Sequence, residues 1–175
     1  MKFKKISIIA SILLLVIGLS VTLSLLVSQS GPIVNTFAPG KVPPKIIEEI
    51  EGNVKKEVKV QNTGNIYAYI RVFLAANYTD EQGNILNIEA KLPTITSDDW
   101  FYFNGYYYYK HIVSPDQFTS PLFQDFEMKP VAGNEEAIYE LQVLASSVQA
   151  DPADAVKKLW DVQVVDGELE PGGTP

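Results

Sequence analysis

The side chains that most often carry out chemistry in proteins are sparse in this sequence. The 175-residue chain has no cysteine and a single histidine, His111. Catalysis by a serine nucleophile would have to use that imidazole as its base, and no serine motif surrounds it. The usual zinc ligand sets need more histidine or cysteine than the chain contains. We therefore expect His111 to be a surface or rim residue at the end of an aromatic strand.

Acidic residues are plentiful, and paired carboxylates could in principle cleave a glycosidic bond. Asp98 and Asp99 precede Trp100, an arrangement that could form a sugar subsite. Neighbouring residues on a strand point to opposite faces, however, so the two carboxylates are poorly placed to act on one bond. The predicted turn at Asp80-Glu81 is too short for a calcium loop. We expect no enzymatic activity, no cofactor and no metal.

The stretch 100–109 is almost entirely aromatic, with eight rings in ten positions interrupted by Asn104-Gly105. Asn-Gly between two β-rich runs predicts a hairpin with a two-residue type I′ turn. The predicted pairs are Trp100 with Tyr109, Phe101 with Tyr108, Tyr102 with Tyr107, and Phe103 with Tyr106. We expect the face with the phenylalanines to be the more buried one. The other face is a candidate aromatic surface, because phenol hydroxyls and an indole N–H suit partial contact with water; it consists of Trp100, Tyr102, Tyr107 and Tyr109.

Short strand-like runs separated by turn signals predict the framework that positions these residues. The predicted strands are Val54–Gln61, Ile66–Tyr78, the two arms of the hairpin, Ala137–Val148 and Val162–Val165, and residues 86–99 are predicted to be a loop. One short helix is predicted near the C-terminus, with Asp151 as N-cap, Pro152 in the first turn and an end near Leu159 or Trp160. The pattern indicates an all-β fold, an antiparallel β-sandwich of jelly-roll or immunoglobulin-like type.

The N-terminus has the layout of a secretory signal. Lys2, Lys4 and Lys5 precede an uncharged apolar run from Ile6 to Val27. Ser28 and Ser30 then place small residues at positions −3 and −1 for cleavage before Gly31. The apolar run is also long enough to span a bilayer as a retained anchor helix. Residues 1–30 are therefore a signal peptide or a membrane anchor, and both readings place the remaining chain outside the cytoplasm.

The rest of the chain divides into three parts. Residues 31–53 are interrupted by prolines and are expected to be an extended lead-in, in which only Ile33–Phe37 could form a short strand. Residues 54–167 are the predicted β-sandwich domain, and residues 168–175 are expected to be a flexible tail rich in glycine, proline and acids.

Net charge excludes one class of partner. Removing residues 1–30 takes three lysines from the 14 basic residues and none of the 21 acidic ones, which leaves a net charge of −10. Such an acidic domain is not suited to neutralise phosphates, so we expect no nucleic-acid partner. Contact with a membrane is expected only through the N-terminal segment.

Several stretches together resemble one family of secreted proteins. They are Val34-Asn-Thr-Phe-Ala-Pro-Gly40, Val58-Lys-Val-Gln-Asn-Thr-Gly-Asn-Ile-Tyr-Ala-Tyr-Ile-Arg-Val72, Trp100 with Gly105-Tyr-Tyr-Tyr-Tyr-Lys110 and Pro121-Leu122, and Ala145-Ser-Ser-Val-Gln-Ala-Asp-Pro152 with Ala155-Val156 and Trp160. In their order and spacing they are similar to the TasA/BsaA/camelysin group of Gram-positive bacteria, whose members are exported by a SipW-type signal peptidase.

The resemblance implies an extracellular, jelly-roll-like β-sandwich that serves as a subunit of biofilm-matrix fibres. In fibre-forming members an N-terminal segment of one subunit completes a sheet of its neighbour. The corresponding donor segment here would be Ile33, Val34, Asn35, Thr36 and Phe37. The implied partners are further copies of the chain in a head-to-tail polymer, related matrix proteins, and the signal peptidase during export.

A second hypothesis stays open at this point. The protein could instead be a cell-surface adhesin or polymer-binding module that uses the aromatic hairpin. Exposed, coplanar rings on one face would favour stacking on a glycan. An open sheet edge together with a detached N-terminal strand would favour polymerisation.

Overall fold

The computed structural model describes residues 40–172 as a mostly β structure with antiparallel pairing. Its elements follow one another along the chain as β1 (Pro44–Glu51), β2 (Val54–Asn62), β3 (Ala68–Thr79), β4 (Trp100–Phe103), β5 (Tyr106–Tyr109), β6 (Phe123–Glu127), β7 (Ile138–Gln149), α1 (Asp154–Trp160), β8 (Val162–Val165) and β9 (Glu168–Pro171). The predicted all-β class is confirmed. Within residues 40–172, no helix is both long and apolar enough to cross a membrane.

The strands form two sheets and a small ribbon. The first sheet has the order β1-β2-β6, the second has the order β4-β5-β3-β7, and β8 pairs with β9 in the ribbon. β3 and β7 pair over their full length of 12 residues each, from Ala68 opposite Gln149 to Thr79 opposite Ile138. This is the longest strand pair of the second sheet.

Side chains from both sheets share one hydrophobic core, which we call the inter-sheet core. Its buried members are Val58, Val60, Ile70, Val72, Leu74, Trp100, Val113, Leu122 and Phe123. The strict alternation of Ile70, Val72 and Leu74 places them on one face of β3, as expected for a strand with period two. Burial of apolar side chains between the sheets is therefore the main source of stability for the fold.

The opposite face of the second sheet packs against the helix and the ribbon. This second cluster, the helix-side core, contains Tyr69, Tyr108, Val148, Val156, Trp160, Val162 and Leu169 as its buried members. Arg71 lies in this layer, with its guanidinium carbon 4.0 Å from the Tyr106 ring centre and 4.8 Å from the Trp160 ring centre. Its Nε also donates to Ser146 Oγ at 3.0 Å. Arg71 thus fastens the helix to the sheet through cation–π contacts.

We expected residues 31–53 to contain no strand beyond Ile33–Phe37, and this prediction is wrong for the second half of the segment. Pro44–Glu51 forms β1, which pairs with β2 from Pro44 opposite Asn62 to Glu51 opposite Val54. The prolines do not prevent this because they precede the strand or begin it, on the edge of a sheet, where proline is tolerated. Gly64 allows close approach to the segment that leads into β1, since a Cβ there would overlap the Lys41 carbonyl oxygen.

A β-bulge explains why the polar and apolar faces of β2 are imperfectly separated in the sequence. The register between β1 and β2 shifts at Glu49/Ile50, where β2 contains one extra residue. Lys55 therefore lies on the buried side, with only 6% of its surface exposed. Its Nζ is 2.6 Å from Glu48 Oε2, which neutralises a charge that would be costly to bury alone.

The prediction of a flexible tail at 168–175 is also wrong for the first half of that segment. Glu168–Pro171 is β9, which pairs with β8 across the turn Asp166-Gly167. Both turn residues have positive φ, 50° and 87°, as in a type I′ hairpin. Leu169 is almost fully buried in the helix-side core. This single apolar side chain anchors a strand whose other residues are polar or proline.

The helix is present where it was predicted, but it starts later. Asp151 was expected as N-cap, whereas Ala153 occupies that position without a side-chain cap and the helix begins at Asp154. It ends at Trp160, as expected, and Asp161 follows in the left-handed conformation. The positions of β2, β3, β7 and β8 and the loop at 86–99 also agree with the sequence predictions, while β6 was not predicted.

Candidate functional site

The aromatic hairpin has the predicted register. Trp100 pairs with Tyr109, Phe101 with Tyr108, Tyr102 with Tyr107 and Phe103 with Tyr106. Asn104 and Gly105 form the turn with φ of 46° and 85°, the two positive values that a type I′ turn requires. The sequence therefore specified this element down to its residue pairs.

The division of the hairpin into one buried and one half-wet face is not observed. Trp100 is only 5% exposed, lies in the inter-sheet core and donates from Nε1 to the Ser120 carbonyl at 3.3 Å. Tyr107 and Tyr109 pack partly buried against the same core. On the other face, Tyr108 is fully buried in the helix-side core. The expected aromatic surface is corrected to Tyr102, which is 64% exposed.

Both faces are covered because the second sheet lies between two layers of side chains. Tyr108 stacks on Phe101 with ring centres 5.2 Å apart, and its ring lies 5.8 Å from that of Trp160 in the helix. The rings on the other face are tilted against each other, by 51° for Trp100 and Tyr109 and by 56° for Tyr102 and Tyr107. They form no flat platform of the kind on which sugar rings stack.

His111 follows the hairpin at the rim, with 42% of its side chain exposed. Its Nε2 is 3.3 Å from Asp99 Oδ1 and its Nδ1 is 3.1 Å from Glu168 Oε1. The two carboxylates face different nitrogens of the ring, so the three groups do not converge on one point. Within residues 40–172, no cluster of histidine and acidic side chains could hold a metal ion.

Asp99 is the one member of the acidic pair 98–99 with a defined contact. Its pKa lies below the usual value because of the Ser120 side chain and, to a smaller degree, because of His111. His111 Nε2 lies 3.3 Å from Asp99 Oδ1, whereas the buried Ser120 Oγ forms no well-aligned hydrogen bond with any described residue, so the His111 contact is the firmer one. Asp98 is exposed, so the two carboxylates do not face a common site.

The Asp80 side chain stabilises the turn in which it lies. Its Oδ1 accepts from the backbone N–H groups of Gln82 and Asn84, at 3.0 and 2.8 Å. Asn84 Nδ2 also donates to Asp80 Oδ2 at 2.9 Å. This side-chain bond, followed by the backbone bonds, lowers the pKa of the Asp80 carboxyl. A carboxylate occupied in this way is a structural element of the loop after β3.

The open edge of the second sheet lies at β7. One side of β7 pairs with β3 along its whole length, and no other described strand pairs with its second side. Its side chains that face the inter-sheet core are only partly buried; they are Leu141, Val143 and Ala145. A long edge strand with incompletely covered apolar side chains is a template for a further strand.

The other sheet edges are better protected. β1 carries charges at Lys45, Glu48, Glu49 and Glu51 and begins with Pro44. β4 and β6 are short, with four and five residues. Charges, proline and short length are the usual means by which proteins prevent edge pairing. β7 has none of these except Glu140.

An open cleft of about 470 Å³ adjoins the beginning of β7. It is lined by Gly52, Asn53, Met128, Pro130 and the segment 135–139. At the opposite end, Ser147 Oγ donates to the Val42 carbonyl and ties β7 to the chain that leads into β1. The free part of the β7 edge therefore lies toward its N-terminal half.

Two sets of predicted site residues lie outside the described residues. These are the candidate cleavage residues Ser28, Ser30 and Gly31, and the candidate donor segment Ile33–Phe37. The open edge at β7 was not identified from the sequence. The alternation of Tyr139, Leu141, Val143 and Ala145 indicates one buried face, but alternation does not reveal whether a strand is central or at an edge.

Comparison with known proteins gives no relative: no family model, no curated protein and no solved structure matches this chain.

Proposed function

We propose that the protein is a secreted or cell-surface structural subunit that assembles head-to-tail by strand addition, as a component of an extracellular biofilm matrix. In this proposal the two sheets form a β-sandwich of jelly-roll type, the N-terminal segment directs export and a SipW-type peptidase removes it. The protein has no enzymatic role. The observation that carries the proposal is the edge of β7, which pairs with no other described strand on its second side and is free and weakly protected in its N-terminal half.

The chemistry of strand addition fits this edge. An added strand makes main-chain hydrogen bonds to the unpaired N–H and C=O groups of the edge, and its alternate side chains enter the core. Val143 pairs with Leu74, a member of the inter-sheet core, so the face it shares with Leu141 is the one that an incoming strand would extend. Covering these side chains removes further apolar surface from water.

The donor in this proposal is Ile33–Phe37, a short apolar segment of the sequence that precedes the described residues. An extended chain advances about 3.3 Å per residue, so five residues cover roughly 16 Å of an edge strand. The same molecule carries a donor and an acceptor. Pairing that does not close on itself then produces a filament.

The adhesin hypothesis has weaker support. Stacking on a glycan needs a broad exposed ring surface, whereas Tyr102 is the one hairpin ring that is mostly exposed. Trp100, the strongest candidate for such stacking, contributes to the core instead. We therefore favour the structural subunit.

We expect deletion of the donor segment to abolish assembly. Residues 31–175 should form filaments that are visible by electron microscopy, and a version that starts at Lys41 should remain monomeric at the same concentration. The shorter version keeps residues 41–43, which hydrogen-bond to Asn65, Thr63 and Ser147.

Circular dichroism and thermal unfolding of both versions provide the control, because a folded monomer is the informative result. Two outcomes would contradict the proposal: filaments formed equally well by the shorter version, or two versions that both stay monomeric under conditions that favour assembly.

A further inference from the structure

Three chain segments meet at His111. The backbone N–H of Lys110 donates to the Asp99 carbonyl at 2.9 Å, which joins the end of β5 to the loop before β4. The N–H of Leu169 donates to the Lys110 carbonyl at 2.8 Å, which joins the same point to β9. His111 lies directly beyond this junction and contacts the side chains of Asp99 and Glu168.

Each contact of the imidazole depends on whether the ring nitrogen that faces the carboxylate carries a proton. Nε2 faces Asp99 at 3.3 Å and Nδ1 faces Glu168 at 3.1 Å. A carboxylate can only accept, and a neutral imidazole has a single N–H to donate. A ring protonated on both nitrogens donates to both carboxylates, whereas a neutral ring turns a lone pair toward one of them. The geometry therefore suits the imidazolium form.

We propose that His111 is a protonation-dependent clasp that fastens the β8–β9 ribbon to the end of the aromatic hairpin. Loss of the second proton releases one carboxylate and loosens the ribbon. The ribbon matters because its Leu169 and Val162 seal the helix-side core. The device goes beyond the proposed subunit role, since it would control how firmly this layer is closed in acidic and in neutral surroundings.

Charged and aromatic groups from several elements surround the clasp. The ring faces Asp99 from the loop before β4, Glu168 from β9 and the Tyr109 ring from β5, and Lys110 is its neighbour in the chain. The clasp is therefore closed when both ring nitrogens carry a proton and open when the ring is neutral.

The sequence makes this device easy to observe. His111 is the only histidine in the chain. Histidine is also the side chain whose charge ordinarily changes between about pH 5 and 8. A change in the ribbon over this range consequently points to one residue.

Hydrogen exchange measured by mass spectrometry tests the clasp. The full chain is expressed, and the purified protein is used. Exchange of peptides from 162–171, corrected for the intrinsic effect of pH, is compared with that of peptides from β3. We expect the relative protection of the ribbon to fall about two- to five-fold between pH 5.5 and 8.0, the size expected for a partly exposed ion pair. In His111→Gln this fall should disappear, and in Glu168→Gln it should shrink.

Glu170→Gln is the matched control. Glu170 lies on the same strand as Glu168 but forms no ion pair with another described residue, so this variant should keep the wild-type response. A ribbon whose relative protection is equal at both pH values would overturn the proposal. So would a His111→Gln variant that keeps the pH response, since a merely structural role for His111 changes protection equally at both values.

Discussion

Replacing Val143 by lysine is expected to abolish filament assembly at protein concentrations at which the wild-type chain assembles. Val143 lies on the open edge strand and faces the inter-sheet core, where an added strand would cover it. An inward-pointing charge on an edge is one of the devices that prevent strand addition, because the incoming strand would have to bury it. The long lysine side chain can reach solvent only as long as the edge is open.

Gln142→Lys is the matched control for this substitution. Gln142 is the adjacent residue, lies on the opposite face of β7 and is exposed, so it adds the same charge at nearly the same place. We expect it to assemble as the wild type does. Filament yield is measured by sedimentation, and thermal unfolding verifies that both variants fold. Equal assembly of the two variants would show that β7 is not the acceptor edge.

Trp100→Ala should have the largest effect on the stability of the subunit. The side chain is 5% exposed, packs in the inter-sheet core and lies 5.1 Å from the Tyr109 ring. Truncation of a buried tryptophan costs about 3–5 kcal/mol through lost burial and the cavity left behind. Chemical denaturation of the monomeric version that starts at Lys41 measures this loss without interference from assembly.

Tyr102→Ala provides the comparison on the same strand and on the same face. Tyr102 is 64% exposed, and we expect a loss below about 1 kcal/mol, as for most exposed positions. A small loss for Trp100→Ala, or similar losses for both variants, would mean that the two rings are equally exposed and would restore the extended aromatic surface.

The sequence predicted those parts of the fold that depend on local rules. Asn104-Gly105 determined a turn, the turn determined the register, and every cross-strand pair followed from it. The alternating runs in β2, β3 and β7 likewise located the longest strands. These signals are local because turn chemistry and the period of two act within a few residues.

The elements that were missed depend on partners far away in the chain. β9 has a single apolar residue, Leu169, and gains its stability from a core built by residues of β3, β5 and the helix. Its turn, Asp166-Gly167, carries the same type of signal as Asn104-Gly105 and could have indicated the ribbon. β1 was missed because its charged residues resemble a loop, although charge on an edge strand is an ordinary feature.

The burial of Trp100 could not be read from the hairpin alone. Alternation separates the ring side chains into two faces, but it does not say which face meets another layer. Here both faces do, since the first sheet covers one side and the helix with the ribbon covers the other. The position of β7 at an edge could not be predicted for the same reason, because sheet order is a tertiary property.

Cross-linking between subunits tests the central claim most directly. The chain contains no cysteine, so a cysteine at one of the positions 33–37 in one molecule and Gln142→Cys in another report a single contact. Neighbouring antiparallel strands place Cα atoms about 4.5–5.5 Å apart, within the range of a disulfide. Lys59→Cys is the control acceptor, because β2 lies between β1 and β6 and has no free edge.

Strand addition at β7 predicts that mixed filaments oxidise to covalent dimers for at least one of the five donor positions with Gln142→Cys. With Lys59→Cys no donor position should yield them. Two results would contradict strand addition at β7. In the first, filaments form but none of the five donor positions gives a covalent dimer with Gln142→Cys. In the second, Lys59→Cys gives as many covalent dimers as Gln142→Cys.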